Sequence, residues 1–130
     1  MTVNIRATLT SKYPAVESLG TATWNRKAAE LRTDTRAEVE LAAAAASTAA
    51  SLTSRINTRH LEDAYSVTAD LSGSPRLGAV VEAVETLRNR LGDAATIEVY
   101  TDGDLHLDVE EQLMAAGADT VVAAGSWAPR

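Results

Sequence analysis

The chain has 130 residues, of which 45% are hydrophobic and 23% charged; its formal net charge is -6 and it has no cysteine. A chain of this length buries roughly two thirds of its unfolded surface, which is enough to fold as one domain. The absence of cysteine excludes disulfides, thiol nucleophiles and every metal site that needs a thiolate. The excess of carboxylates opposes nucleic-acid binding, and no apolar run approaches a membrane span, so we expect neither partner.

Residues 2–10 alternate apolar and polar side chains, which is the pattern of a half-buried strand. The apolar positions of this alternation are Val3, Ile5, Ala7 and Leu9. We expect an N-terminal strand here, followed by a connection that contains Pro14 and Gly20.

The segment from Thr21 to Asn57 has neither Gly nor Pro, and its apolar residues recur at the alternating spacing of a helix. Thr35 lies on the same stripe, and Thr35 with Glu38 has the form of a capping box. The alternatives are one long Ala-rich helix or two helices with a break near Thr35.

Residues 64–124 show a succession of strand and helix patterns that matches the ferredoxin-like βαββαβ motif. The expected elements are a strand at 64–71, a helix that has Ser74 as N-cap and stops at Gly92, a hairpin of 96–100 with 105–107, a helix at 108–117 and a strand at 120–123. We therefore expect an α+β fold. An N-terminal strand and Ala-rich helical segment, residues 1–63, precede a small α/β sheet unit, residues 64–130.

One acidic cluster has residue types that can bind a metal ion: Asp102, Asp104, His106, Asp108, Glu110 and Glu111. The same positions are also the solvated face of an ordinary strand, and Asp108 is needed as a helix N-cap. The other histidine, His60, has no cysteine or Gly-x-Ser-x-Gly serine to activate. We therefore predict no catalytic, metal or cofactor site.

The alanine-rich part of the helix is the feature of the sequence that is least expected in a monomeric protein. Small side chains let a second helix approach closely, and larger apolar residues at one end anchor it. The predicted partner interface consists of Ala42, Ala45, Ala49, Leu52 and Ile56.

These patterns favour a non-enzymatic structural or assembly subunit that associates with itself or with another protein through the Ala-rich helix. A phage virion or virus-assembly component is one such subunit. The alternatives are a ferredoxin-like regulatory or ligand-binding module and an acidic inhibitor or immunity-type protein, which binds a basic partner. The expected location is the cytoplasm, or the virion for a phage component.

Overall fold

A computed structural model describes residues 2–15, 20–103 and 107–123. The elements in chain order are β1 (Val3–Lys12), α1 (Thr21–Ala50), β2 (Thr53–His60), β3 (Ala64–Gly73), α2 (Leu77–Leu91), β4 (Thr96–Thr101), α3 (Leu107–Ala116) and β5 (Thr120–Val122). The strands form one mixed sheet in the order β2-β3-β1-β4-β5. The β4–β5 pair is parallel, and the pairs β2–β3, β3–β1 and β1–β4 are antiparallel. The expected α+β class, with an N-terminal strand followed by a long helix, is confirmed.

The central strand of the sheet is β1, which pairs with β3 on one side and with β4 on the other. Residues on both sides of position 63 therefore contribute to the same sheet. The predicted hairpin after β4 is wrong, because Leu107 begins α3 and β5 lies parallel to β4. Leu105 and His106, which the prediction placed in the second hairpin strand, lie outside the described residues. Asp102 and Gly103 also lack the positive φ angles that a type I′ turn requires.

Helix α1 is continuous through Thr35 and ends at Ala50, seven residues before the predicted end. The Thr35 hydroxyl is buried, donates to the Leu31 carbonyl at 2.7 Å and lies 2.9 Å from Ser11 Oγ, so the helix accommodates it without a break. Ser51 then adopts a left-handed conformation with φ 54°, which stops the helix. No glycine marks the end of α1. The pairing of residues 53–60 with β3 outweighs the helical pattern that residues 53–57 show in the sequence.

The alanines of α1 serve close packing inside the chain. Ala42, Ala43 and Ala46 are buried in one core with residues of the sheet and of α2. Side chains this small let α1 approach its neighbours closely, while Val84 and Leu87 of α2 supply bulk. The predicted N-cap of α2 at Ser74 is also wrong, since the helix begins at Leu77 and its N-cap is Arg76.

Arg88 of α2 ties the last two elements to the rest of the fold. Its guanidinium donates to the carbonyls of Gly92, Ala95 and Gly117 at 2.7–3.0 Å. It also donates to Asp119 Oδ2 at 2.8 Å, and that same oxygen accepts the backbone N–H of Ile97. One side chain therefore links the end of α2 with the loops before β4 and β5.

Leu52→Asp is expected to lower the free energy of unfolding strongly, and equally at every protein concentration. Leu52 is only 8% exposed, and a Cβ built at Gly73 would lie 3.0 Å from Leu52 Cδ2, so a carboxylate here is buried beside bare backbone. The loss of apolar packing and the unpaired charge together cost at least about 3 kcal/mol. Circular dichroism during chemical denaturation measures the effect, and a native denaturation midpoint would contradict this packing.

Arg88→Lys is expected to lower the free energy of unfolding by about 1–3 kcal/mol, because an ammonium cannot reproduce the planar fork that reaches three carbonyls. Arg90→Lys, an exposed change on the same helix, is the matched control and should leave stability within about 0.5 kcal/mol. Urea denaturation of both variants makes the comparison. Equal midpoints would show that the Arg88 contacts contribute nothing to stability.

Candidate functional site

The face of the sheet that points away from α1 and α2 is polar, and we call it the open face. Along β1 the side chains of Val3, Ile5, Ala7 and Leu9 are buried, while those between them are half-buried or exposed. Residues directly opposite each other on paired strands share a face. The register therefore assigns to the open face Asn4, Arg6, Thr8, Thr10, Thr53, Arg55, Asn57, Arg59, Ser66, Thr68, Asp70, Ser72, Thr96, Glu98 and Tyr100.

Charges alternate in sign across four strands of the open face, in the row Arg55, Asp70, Arg6 and Glu98. Asp70 Oδ1 accepts a hydrogen bond from Arg6 Nε at 3.0 Å, and Asp70 Oδ2 accepts one from Asn57 Nδ2 at 3.3 Å. Both carboxylate oxygens thus have partners other than Arg55. The Arg6–Asp70 pair is partly exposed, so its contribution to stability is about 0–1 kcal/mol.

Tyr100 sits at the β4 end of this row. Its hydroxyl donates a hydrogen bond to Glu98 Oε2, and the Arg6 guanidinium carbon lies 5.8 Å from its ring centroid. The hydrogen bond to the Glu98 carboxylate is the main reason that the pKa of Tyr100 is raised above 10, and burial adds to the effect. The Tyr100 hydroxyl therefore remains protonated, and its neutral ring lies at one end of the charged row.

A groove of about 490 Å³ lies on the open face near β2. It is bordered by Asn4, Arg6, Arg55, Asn57, Asp70 and Ser72. These side chains offer amide, hydroxyl and guanidinium groups that donate and accept hydrogen bonds. The groove is therefore suited to binding a polar molecule.

The five residues of the predicted partner interface lie in different places. Ala42 and Leu52 are buried in the core of the chain. Ile56 is half-buried in β2. Ala45 is half-buried and Ala49 exposed on α1, so these two are the members of the set that a partner helix can reach in the folded chain.

The described members of the acidic cluster lie in two places, with Asp102 after β4 and the other three on α3. Asp102 Oδ1 accepts the Thr2 backbone N–H at 2.8 Å, and this bond is the main cause of the lowered pKa of Asp102. Asp104 and His106 fall outside the described residues, and Asp108 is in the first turn of α3 instead of capping it. No group of three or more candidate metal ligands occurs within residues 2–15, 20–103 and 107–123.

His60 ends β2, where its ring lies 5.1 Å from the ring of Tyr65. It is exposed and belongs to the strand. The β2–β3 register places His60 opposite Tyr65, which brings the two rings together at the end of the hairpin.

The comparisons with known proteins give no match to a family model, a curated protein or a solved structure. Across the ranges that the structure describes, no helix has both the length and the apolar character needed to cross a bilayer.

The charged row and the groove were missed by sequence reasoning because residues 53–57 fitted the end of a helix. One signal for them exists in the sequence. Polar or charged residues occupy every second position at Thr53, Arg55, Asn57 and Arg59. That alternation is weak because the intervening positions include only one large apolar residue, Ile56.

Glu98→Gln is expected to lower the pKa of Tyr100 toward its ordinary value, because the amide is a weaker acceptor and has no charge. In the parent chain the raised pKa stabilises the fold below about pH 10, and this contribution is lost as the pH rises through the folded-state value. A ¹³C NMR titration of the tyrosine ring resonances measures it. Glu85→Gln on α2 is the control, and an unchanged Tyr100 titration in Glu98→Gln would contradict the contact.

Proposed function

We propose that this chain is a non-enzymatic structural or assembly subunit that self-associates through the outward side of α1. A phage virion or virus-assembly component is a subunit of this kind. The observation that carries the proposal is Leu41, which is 66% exposed in the middle of a helix whose opposite side is buried in the core.

The outward side of α1 has a continuous stripe of small residues around this leucine. Helical spacing places Ala37, Leu41, Ala44 and Thr48 in one line, which we call the outward stripe, and all four are exposed. The Thr48 hydroxyl donates to the Ala44 carbonyl at 2.9 Å, so its hydrogen-bonding need is met within the helix. A second helix can therefore lie against this stripe without stranding a polar group.

The charge pattern supports a close helix–helix contact. No charged residue occurs from Leu41 to Ser54, whereas Arg36 and Glu40 pair with each other at 2.7 Å beside the stripe. Ala45, one of the predicted interface residues, flanks Leu41. In a symmetric pair of α1 helices, the leucine of each copy would enter the shallow space over the alanines of the other.

A ferredoxin-like ligand-binding module is the second candidate, favoured by the open face and its groove. The order βαββαβ also describes β1 to β4, whose four strands are antiparallel in the order β2-β3-β1-β4. We propose that this six-element unit is the ferredoxin-like part of the chain, with α3 and β5 added to one side. In this reading the groove holds a small polar ligand and the chain remains a monomer.

Leu41→Asp is expected to dissociate the assembly while leaving the chain folded, because a carboxylate on the outward stripe is solvated in the free chain and buried in the contact. Light scattering should give a multiple of 13.7 kDa for the parent chain and a single-chain mass for the variant. Circular dichroism should remain native.

Leu107→Asp is the matched control, since Leu107 is the other strongly exposed leucine among the described residues, at 70%, and lies on α3. It should keep the parent mass. A parent chain of single-chain mass at every concentration would overturn the assembly proposal and favour the ligand-binding module. A Leu41→Asp variant that keeps the multiple would show that the contact lies elsewhere.

A further inference from the structure

Strand β2 is an open edge of the sheet. It pairs with β3 over eight residues, and no residue in the described ranges pairs with its other side. Seven of its eight residues are exposed, the exception being the half-buried Ile56. It contains no proline, lysine or bulge that would block another strand from pairing.

The hydrogen-bonding register identifies which backbone groups of β2 point away from β3. The Leu61 N–H donates to the Ala64 carbonyl at 2.9 Å, which makes Leu61 and Ala64 a hydrogen-bonded pair. Such pairs alternate along antiparallel strands, so residues 53, 55, 57 and 59 bond inward to β3. The backbone N–H and C=O groups of Ser54, Ile56, Thr58 and His60 therefore point outward.

The side chains of this edge are positively charged in a chain whose net charge is -6. Arg55 and Arg59 are the charged residues of β2 at neutral pH, and β2 has no acidic residue. They lie on the open face, four residues apart, which corresponds to about 13 Å along the strand. Asp70, the carboxylate opposite Arg55, is bonded to Arg6 and Asn57 instead.

We propose that the outer edge of β2 binds an extended acidic segment of a partner protein, which adds to the sheet as a sixth strand. The outward groups of Ser54, Ile56, Thr58 and His60 would supply the backbone hydrogen bonds. Arg55 and Arg59 occupy the non-hydrogen-bonded positions of the new pair, where side chains approach most closely. The segment this edge selects therefore has carboxylates four residues apart and an apolar residue near Ile56.

Charge disfavours a second copy of the chain as the occupant. Antiparallel pairing of two β2 edges brings four arginines together with no carboxylate from either strand. In the register centred on Asn57, Arg55 of each copy directly faces Arg59 of the other, and like charges in such positions are destabilising. This edge is separate from the outward stripe of α1, so the two proposals are tested by different variants.

The test uses ¹⁵N NMR of the full chain with the peptide acetyl-Thr-Glu-Thr-Thr-Val-Glu-Thr-amide at about 1 mM. In either strand direction its two glutamates can face Arg55 and Arg59. The amide shifts should concentrate at the four outward residues of β2. The peptide with Gln in place of both Glu should bind about five-fold more weakly, and so should the parent peptide to Arg55→Gln/Arg59→Gln.

Thr58→Pro removes one outward N–H, at an edge position where proline is tolerated, and should abolish the shifts while the circular dichroism stays native. Arg90→Gln on α2 is the charge control, and Leu41→Asp should bind the peptide as the parent chain does. The proposal is overturned by the absence of shifts at β2, or by equal binding of the Gln peptide. It is also overturned if Thr58→Pro lowers the mass of the free chain, because a second copy then occupies the edge.

Discussion

The pairing of β1 with β3 and β4 is the constraint on which the rest of the fold depends. Ten residues of β1 pair with β3 and six pair with β4, so the first strand of the chain becomes the centre of the sheet. Because its apolar positions alternate without interruption, one face of the sheet must be covered. Helices α1 and α2 cover that face, and the same register leaves the other face with threonines, serines, asparagines and a row of alternating charges.

Alanine in α1 has two different structural consequences. On the inner side, Ala42, Ala43 and Ala46 permit a close approach to α2 and to the sheet, and a core without phenylalanine depends on such contacts. On the outer side the same composition leaves the helix without charge from Leu41 to its C-terminal end. An alanine-rich helix thus packs into the core on one side and exposes small side chains on the other. The exposed side is the basis of the proposed assembly role.

The two ends of the sheet have different chemistry. At one end, β5 is short, and the polar contacts of Arg88 with Gly117 and Asp119 hold the adjoining loop. At the other end, β2 is eight residues long and carries arginines without acidic neighbours on the strand. An open strand edge with uniform charge attracts segments of opposite charge and discourages pairing with itself, so it is suited to selective docking.

The sequence by itself determined those elements whose signals are local. The alternation of residues 2–10 identified β1, the apolar helical spacing identified α1 and α2, and Gly92, with φ 73°, ended α2 as expected. Local patterns also identified β3, most of β4, α3 and β5, although several of their boundaries shifted by a few residues. Only the tertiary structure decided where α1 stops, because Ser51 carries no glycine signal and residues 53–60 become a strand by pairing with β3. The same long-range pairing separated Ala42 and Leu52 from Ala45 and Ala49, assembled the open face from four strands, and left β2 at an edge. Strand partners distant in sequence fix these features, and a local pattern contains no information about which partner a strand will find.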